Sequence, residues 1–563
     1  MRFGLFYEHQ LPRPWTGDSE ERLLQDALEQ VEIADAIGID YVWEVEHHFL
    51  EEYSHSSAPE VFLAAASQRT RRIRLGHGIV QLPPAFNHPA RVAERIATLD
   101  LISGGRVDFG TGEASSQAEL GGFGVDRDLK RAQWEEALDV VTRMMVEEPF
   151  AGHRGRFLSV PPRNVVPKPK QKPHPPLWVA CSRRETILLA ARKGLGALSF
   201  SFVEPEEAKQ WVDEYYALID SDECIPGGFS VNPKIAVVVP FMCHRDESTA
   251  IERGIDGAHF FGYSLAHYYV FGRHQPGRTD LWRDFELNRT QRGFARDIVT
   301  AADAPLGMKL LQSGLGSLRG AIGTPAQVRE LARRYQAAGV DQVILVAQAG
   351  RNRHEHVCES LRLFGEEVLP AFAADADRTE RERLERLAPA CERALSRRPP
   401  PREAPPDYMV TAQGEPWQGA PQLPGRDGRG RGLLSRYVRG RSDSQLERVI
   451  GSPLALRLLF TGMARSFQPE RAAGFQGDVV YELRRGRKTE CWTLSIRDGK
   501  ASAVRAAAVK PAVTLRMAVP TFARMAAGEL DPARAVMEGM LAVEGDFQVA
   551  SRLSGMFGGP SPF

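Results

Sequence analysis

Two adjacent histidines, His47 and His48, directly follow an apolar run in the sequence. The run is DYVWEVE, from Asp40 to Glu46, and a charged loop after the histidines leads to a helix that opens near Pro59. Histidine changes its charge near neutral pH, so it can exchange protons with a bound group. Ionisable groups placed where a buried parallel strand ends are typical of a catalytic face. We therefore predict a proton-transfer site at this strand end.

A regular alternation of strands and helices surrounds these histidines. The sequence predicts strands at Arg2–Tyr7, Asp40–Glu46, Ile73–Val80, Val107–Gly110, Leu177–Ala180, Ala197–Phe200, Ile235–Phe241 and Gln342–Val346. Segments with apolar residues at helical spacing lie between them, which indicates a parallel sheet. Eight such units in one domain favour an α/β fold of the (β/α)8 TIM barrel type, with insertions, and an open α/β sheet is the alternative.

Bulk composition limits the classes of partner. The chain of 563 residues has 72 Lys and Arg against 72 Asp and Glu, so its net charge suggests neither nucleic acid nor an anionic membrane surface. We find no apolar stretch long enough to span a membrane. The six cysteines are scattered without metal-ligand spacing, and we interpret them as reduced thiols in a cytoplasmic protein.

Composition changes after the predicted barrel, and we divide the chain at that point. Residues 1–372 form the barrel domain, and 373–441 are a linker that is first highly charged and then rich in Pro, Gly and Arg. In the charged part, Asp375–Arg398, Leu384 and Leu387 could extend a surface helix. The part from Pro399 to Arg441 buries too little apolar surface to offset the cost of ordering it. Residues 442–563 form a small α+β domain with a helix at Leu454–Phe467, strands at Asp478–Leu483, Thr489–Ile496 and Ala512–Met517, and helices at Thr521–Ala527 and Pro532–Glu538.

The barrel region resembles the bacterial luciferase-like flavin-dependent monooxygenase family. The matching segments are MRFGLF, WEVEHHF, RIRLGHGIVQLP with NHPARVAERIATLD, SGGRVDFGTG, FGVD and LWVACS with ETILLAARKGLG, in the family's order. The resemblance implies a (β/α)8 barrel that uses reduced FMN supplied by a separate flavin reductase. It also implies dioxygen as co-substrate, and we expect a small apolar organic substrate. Light emission is not implied.

The resemblance assigns roles to residues at two strand ends. His47 matches the family's essential histidine near the reactive face of the flavin, and His48 is its neighbour. A structural, hydrogen-bonded histidine is the alternative for His48. Gly78 and Ile79 match the position of a non-proline cis peptide bond beneath the flavin ring. The alternative is a glycine at a bend of the barrel.

The resemblance also places the phosphate of FMN. Arg131 and Ser182 match the family's phosphate contacts, and Ser182 precedes a helix whose N-terminus favours an anion. Glu113, however, stands where luciferase has a phosphate-contacting arginine, and Gly112 replaces a reactive cysteine. Glu113 could bond the ribityl hydroxyls or the substrate instead. A deazaflavin-dependent dehydrogenase on the same barrel therefore stays open as an alternative.

The C-terminal domain resembles the sterol carrier protein type-2-like family over about residues 450–560. The resemblance is carried by VTLRMAVPTFARMAAGELDPARAVMEGMLAVEGDFQVASRL. It implies a small α+β fold whose apolar cavity holds a lipid-like ligand. A dimerisation or scaffolding unit is the alternative for this domain, and a non-catalytic lipid-binding carrier is the alternative for the whole chain. We expect a homodimer.

Overall fold

Eight parallel strands close into a barrel in the computed structural model of the chain. They are β1 Arg2–Tyr7, β2 Tyr41–Glu44, β3 Arg74–His77, β4 Val107–Gly112, β5 Leu177–Cys181, β6 Gly196–Ser199, β7 Ile235–Cys243 and β8 Gln342–Val346. Each strand pairs in parallel with the next, and β8 returns to pair with β1. The predicted (β/α)8 barrel is confirmed, and the open-sheet alternative is wrong.

The structure describes most of the chain. Described are residues 1–563 except 200–203, 293, 295–306, 309–317, 412–436, 439, 470–471, 473–474, 487, 528, 531, 547–548, 551–552, 554–555 and 558–563. The chain divides into two compact units, Met1–Gln422 and Leu423–Phe563.

Helices surround the barrel and connect its strands. They are α1 Ser19–Ile37, α2 Pro59–Arg69, α3 Pro89–Ile102, α4 Gln117–Gly122, α5 Lys130–Val146, α6 Arg184–Arg192, α7 Pro205–Ile219, α8 Glu247–Ala266, α9 Leu281–Asn288, α10 Pro325–Ala337, α11 His354–Glu367 and α12 Pro370–Ser396. Five of these begin with proline, which suits the first turn because its missing N–H would have no partner there. A π-helical turn, His267–Phe271, follows α8. Short strands lie at Val80–Gln81, His153–Arg154, Ser159–Val160, Gly307–Met308 and Leu318–Gly323.

Large side chains fill the interior of the barrel. The rings of Trp43 and Trp178 meet edge to face with their centroids 5.2 Å apart. Glycines on the neighbouring strands make room for them, because a Cβ at Gly76 would lie 2.3 Å from the Trp43 ring and one at Gly196 2.4 Å from the Trp178 ring. The interior is thus a packed core, and a ligand site must lie at an end of the barrel.

The charged segment after residue 372 differs from its prediction as part of a linker. It forms α12, which lies on the barrel, where Glu380 contacts Arg2 and Lys234 and where Leu387 is buried. The helix agrees with the surface helix that Leu384 and Leu387 suggested, and its charged residues have partners on the barrel. The barrel unit therefore extends past residue 372. Much of the remaining predicted linker, 399–441, lies outside the described residues.

The second unit contains a five-stranded sheet. Its strands are β9 Gly477–Arg485, β10 Lys488–Arg497, β11 Lys500–Val504, β12 Val513–Ala518 and β13 Leu541–Gly545, in the order β11-β10-β9-β12-β13. The helices are α13 Asp443–Val449, α14 Pro453–Arg465, α15 Val519–Ala526 and α16 Pro532–Met537. In the core the ring of Phe460 stacks on Trp492 and Phe522 at 4.8 and 5.2 Å. The α+β fold agrees with the prediction, although β11 and β13 were not identified from the sequence.

Two further observations concern the chain as a whole. Among the described residues, no helix combines the length and the apolar character needed to cross a membrane. All six cysteines are described, and none of them takes part in a disulfide.

Candidate active site

His47 lies beyond the end of β2, between two buried glutamates. Its Nδ1 is 3.0 Å from Oε1 of Glu119, and its Nε2 is 3.7 Å from Oε2 of Glu8. Glu8 follows β1 and Glu119 belongs to α4, so three separate segments meet at the carboxyl end of the barrel. Burial alone would lower the pKa of His47, but the charges of Glu119 and Glu8 outweigh it and raise the pKa to about 9. The two carboxyl groups therefore favour the imidazolium form of the ring.

Glu119 is the anionic partner of this imidazolium. Besides His47, it accepts hydrogen bonds from Ser116 Oγ at 2.6 Å, Gln81 Nε2 at 2.7 Å and the backbone N–H of His48 at 3.2 Å. Burial opposes the charged form, yet the charge of His47 and these donors lower the pKa of Glu119. Sequence analysis missed Glu119. Its only local signal is the Ser116-x-x-Glu119 capping pattern, which explains the start of α4 but not the contact with His47.

Glu8 is the second carboxyl group beside His47, and it was also missed. The Tyr53 hydroxyl donates to its Oε1 at 2.9 Å, while its Oε2 is buried and has no hydrogen-bond partner in the described part of the chain. Burial raises the pKa of Glu8 to about 7, although His47 and the bond from Tyr53 act in the opposite direction. This side chain can therefore gain or lose a proton near neutral pH.

His48 points to a different set of partners. Its Nε2 is 3.1 Å from Glu46 Oε1, and its ring meets Phe123 edge to face at 4.9 Å. Glu46 is itself fixed by the backbone N–H of Gln81 at 2.8 Å and the amide of Asn87 at 2.7 Å. These contacts support the alternative in which His48 is a structural residue.

Gly78 and Ile79 follow β3. Four peptide bonds among the described residues are cis and all precede proline, so the expected cis bond between Gly78 and Ile79 is not found. The trans form is several kcal/mol more stable for a non-proline bond. A Cβ at Gly78 would lie 3.5 Å from Trp43, so packing does not require glycine there. A Cβ at Gly112 would lie only 2.8 Å from Ile79 Cδ1, which explains why glycine replaces a larger residue at 112.

A cluster of basic residues surrounds Glu113 beyond the end of β4. Arg131 Nη2 is 2.5 Å from Glu113 Oε1, and Lys130 Nζ is 4.0 Å from Oε2. Burial lowers the pKa of Lys130, and the positive charges of Arg127, Arg131 and Arg183 lower it further. Four cations from the α5 region and the start of α6 therefore share one region around a single carboxylate.

Ser182 lies exposed between β5 and α6, next to this cluster. Arg131 affects the pKa of the adjacent Cys181, which burial raises and the guanidinium lowers. Arg131, Ser182 and the N-terminus of α6 are the kinds of donor that an organic phosphate requires. Glu113 Oε2 is buried without a hydrogen-bond partner in the described residues, so it can accept from a hydroxyl group. The donors and this acceptor together fit an organic phosphate that carries hydroxyl groups.

Aromatic side chains line the space beside His47. The ring of Tyr53 is 5.7 Å from the His47 ring, 6.1 Å from Phe261 and 6.2 Å from Tyr268. Tyr268 and Tyr269 belong to the π-helical turn, and such turns often occur at functional sites. One side of the His47 ring therefore faces aromatic side chains.

Comparisons with known proteins identify the class of this chain. Residues 1–342 match the luciferase-like monooxygenase family, and residues 462–558 match the SCP-2 sterol transfer family. The first match covers more than half of the chain, and the chain belongs to the luciferase-like monooxygenase family. Both resemblances drawn from the sequence are thereby confirmed.

Individual relatives match shorter parts of the chain. Limonene 1,2-monooxygenase of Rhodococcus erythropolis is 40% identical over 138 residues, which are 24% of this chain and 35% of that protein. The oxygenase component of the flavin-dependent trigonelline monooxygenase of Acinetobacter baylyi is 31% identical over 198 residues, which are 34% of this chain and 52% of that protein. The crystal structure of monooxygenase RslO1 from Streptomyces bottropensis is 26% identical with a TM-score of 0.52 and covers 66% of this chain and 100% of that one. The chain spans about half the length of several curated relatives it matches.

Proposed function

We propose that the protein is a flavin-dependent monooxygenase that uses reduced FMN and dioxygen to oxidise an apolar organic substrate. The observation that carries the proposal is the imidazolium of His47, held between Glu119 and Glu8 beside a basic cluster at the carboxyl end of the barrel. Family membership supports the oxygenase class. The trigonelline relative is called flavin-dependent and an oxygenase component, which supports FMN and a separate flavin reductase.

Different residues of this chain would bind different parts of FMN. Arg131, Ser182 and the start of α6 would hold the phosphate of FMN, and Glu113 would accept from a ribityl hydroxyl. Gly78 and Ile79 would contact the ring. When bound, reduced FMN supplies the electrons that activate dioxygen.

The residues around His47 hold and move protons. Glu119 fixes the ring through Nδ1, so the proton on Nε2 is directed toward Glu8. The aromatic surroundings exclude water and strengthen the electrostatic effect of the imidazolium on a developing negative charge. His48 is anchored to Glu46 and would keep the loop after β2 in place.

The test compares the two flavin types directly. Binding of FMN, reduced FMN and a deazaflavin is measured by fluorescence, and turnover is followed with a flavin reductase and isotopically labelled dioxygen. We expect reduced FMN to bind and one labelled oxygen atom to enter the product. A deazaflavin that binds instead, with hydride removed from the substrate and no oxygen inserted, would replace the proposal with the dehydrogenase alternative, which the Arg131–Glu113 ion pair keeps open.

The second unit is proposed to bind a lipid-like ligand and to supply a poorly soluble substrate to the barrel. The match to the SCP-2 sterol transfer family supports this proposal. A tethered module can provide a local concentration in roughly the millimolar range. The test compares residues 1–398 with the full chain on water-soluble and lipid-like substrates, together with uptake of a fluorescent fatty acyl probe. Unchanged turnover of the lipid-like substrate and no probe uptake would favour the dimerisation alternative.

Two further properties belong to the proposal. We propose a homodimer, which light scattering of the full chain and of residues 1–398 would detect. We also propose a cytoplasmic location, which agrees with six cysteines that form no disulfide. A monomeric full chain would contradict the first statement.

A further inference from the structure

Glu8 has no role in flavin binding, and it lies at the centre of the site beside His47. Its side chain is only 3% exposed, and Oε2 is directed toward His47 without a hydrogen-bond partner in the described residues. Burying an oxygen atom of a carboxyl group without a partner costs free energy. A chain that keeps such an atom beside its predicted catalytic histidine has a position ready for another group.

The distance between Glu8 and His47 indicates what that group is. Oε2 and Nε2 are 3.7 Å apart, which is too long for a direct hydrogen bond. One oxygen atom at about 2.8 Å from each of them would bridge the two side chains. During turnover, an oxygen atom of the reacting species would take this bridging position.

We propose that Glu8 is a second acid of the active site, which contacts the same oxygen atom as His47 and protonates it. This inference rests on the proposed function. In the step, the O–H bond of Glu8 breaks, the proton passes to the bound oxygen, and Glu8 becomes a carboxylate. His47 keeps both its protons and its ion pair with Glu119, and water returns a proton to Glu8 after product release. No electrons are transferred.

The surroundings of Glu8 explain why it keeps a proton. The groups that face it are His47 and Glu44 from the end of β2, Glu119 from α4, Tyr53 from the loop after β2 and Tyr269 from the π-helical turn. Burial and the charges of Glu119 and Glu8 raise the pKa of Tyr269. Glu119 is already ionised and compensates the charge of His47. A further buried negative charge is therefore unfavourable, and the pKa of Glu8 lies at about 7.

The first experiment needs no flavin. Difference infrared spectra of the protein are recorded across a titration from about pH 5 to 9, which covers the ordinary carboxyl and histidine ranges. We expect the C=O band of one protonated carboxyl to disappear near pH 7, and Glu8→Gln to lack this band. The exposed Glu21→Gln, on α1, is the matched control and should retain it. A wild-type spectrum without such a band would overturn the proposal.

The second experiment uses the pH dependence of turnover. In the wild type, kcat/KM should fall as the pH rises through about 7, because Glu8 loses its proton. Glu8→Gln should lower kcat on the order of a hundredfold and remove this pH limb, with FMN affinity unchanged. Tyr53→Phe should move the limb to higher pH, since the lost hydrogen bond stabilises the carboxylate form.

The outcomes separate this inference from the proposed function. Wild-type oxygen insertion together with a Glu8→Gln variant that keeps full activity and the same pH limb would overturn the inference alone. A limb that does not move in Tyr53→Phe would also count against it. A wild type that inserts no oxygen with any flavin would overturn the proposed function, whatever the infrared titration of Glu8 reports.

Discussion

The amino end of the barrel carries the half-buried Glu380 and the carboxyl end the buried Glu8, and the two ends differ in what the carboxylates contact. At the amino end, Glu380 of α12 is 2.8 Å from Arg2 and 2.5 Å from Lys234, and Arg383 pairs with Asp341. At the carboxyl end, Glu8 has one oxygen without a hydrogen-bond partner in the described residues.

The same chemical group therefore has opposite proton affinities at the two ends. Burial would raise the pKa of Glu380, but Lys234 and Arg2 outweigh it and lower the pKa to about 2. Burial raises the pKa of Glu8 to about 7, because His47 is already paired with Glu119. The number of available cations decides the outcome: full pairing stabilises the amino end, and incomplete pairing leaves a titrating group where the chemistry is proposed.

The largest expected effect is at His47. His47→Ala should leave the fold and FMN binding intact and lower turnover on the order of a hundredfold or more, because the imidazolium is lost. The measurement is steady-state turnover with saturating reduced FMN. Glu380→Gln, at the other end of the barrel, is the control and should retain activity. Turnover of His47→Ala close to that of the wild type would contradict the assignment of His47 as the proton-transfer residue.

The next effect concerns the basic cluster. Arg131→Ala should weaken FMN by about 1.5–3 kcal/mol, roughly 10- to 150-fold, and weaken riboflavin much less, since only FMN carries the phosphate. Fluorescence quenching measures both affinities. Arg184→Ala is a matched control, because this neighbouring arginine bonds Glu214 at 2.5 Å instead. Equal losses for FMN and riboflavin would place the phosphate elsewhere.

A smaller effect is expected at the amino end. Glu380→Gln should lower the free energy of unfolding by about 2 kcal/mol, because charge-assisted bonds to Arg2 and Lys234 are weakened. Chemical denaturation at neutral pH measures this change. If the unfolding free energy is unaffected while turnover falls, the division of roles between the two ends is wrong.

The smallest effects are on the pH dependence of the unfolding free energy. The contributions of Glu380 and Glu8 should change with pH in opposite directions. The pKa of Glu380 is lowered by folding, so its contribution to stability is present above about 4.5 and lost as pH falls toward 2. The pKa of Glu8 is raised, so its contribution is present below about 4.5 and lost as pH rises through 7. Each slope is limited to about 1.4 kcal/mol per pH unit for one proton. The free energy of unfolding is measured across pH for the wild type, Glu380→Gln and Glu8→Gln. Contributions of Glu380 and Glu8 whose slopes against pH have the same sign would contradict this account.

The barrel was predictable because its strands are continuous apolar runs. Each of the eight predicted strands overlaps an observed one, since a strand buried on both faces can contain few polar residues. His47 was also predictable, because it directly follows such a run. The contacts that hold α12 on the barrel were not predictable, in contrast, since the partners of Glu380 and Arg383 lie far away in the sequence.

The order of strands and helices, the family and the location of His47 thus followed from the amino-acid sequence. The contacts of this histidine with Glu8 and Glu119, and the trans bond at Gly78–Ile79, became known only from the folded chain. The physical reason is distance along the chain. Proton affinity depends on which charges and donors surround a buried group, and barrel closure brings together residues as far apart as Glu8 and Glu119.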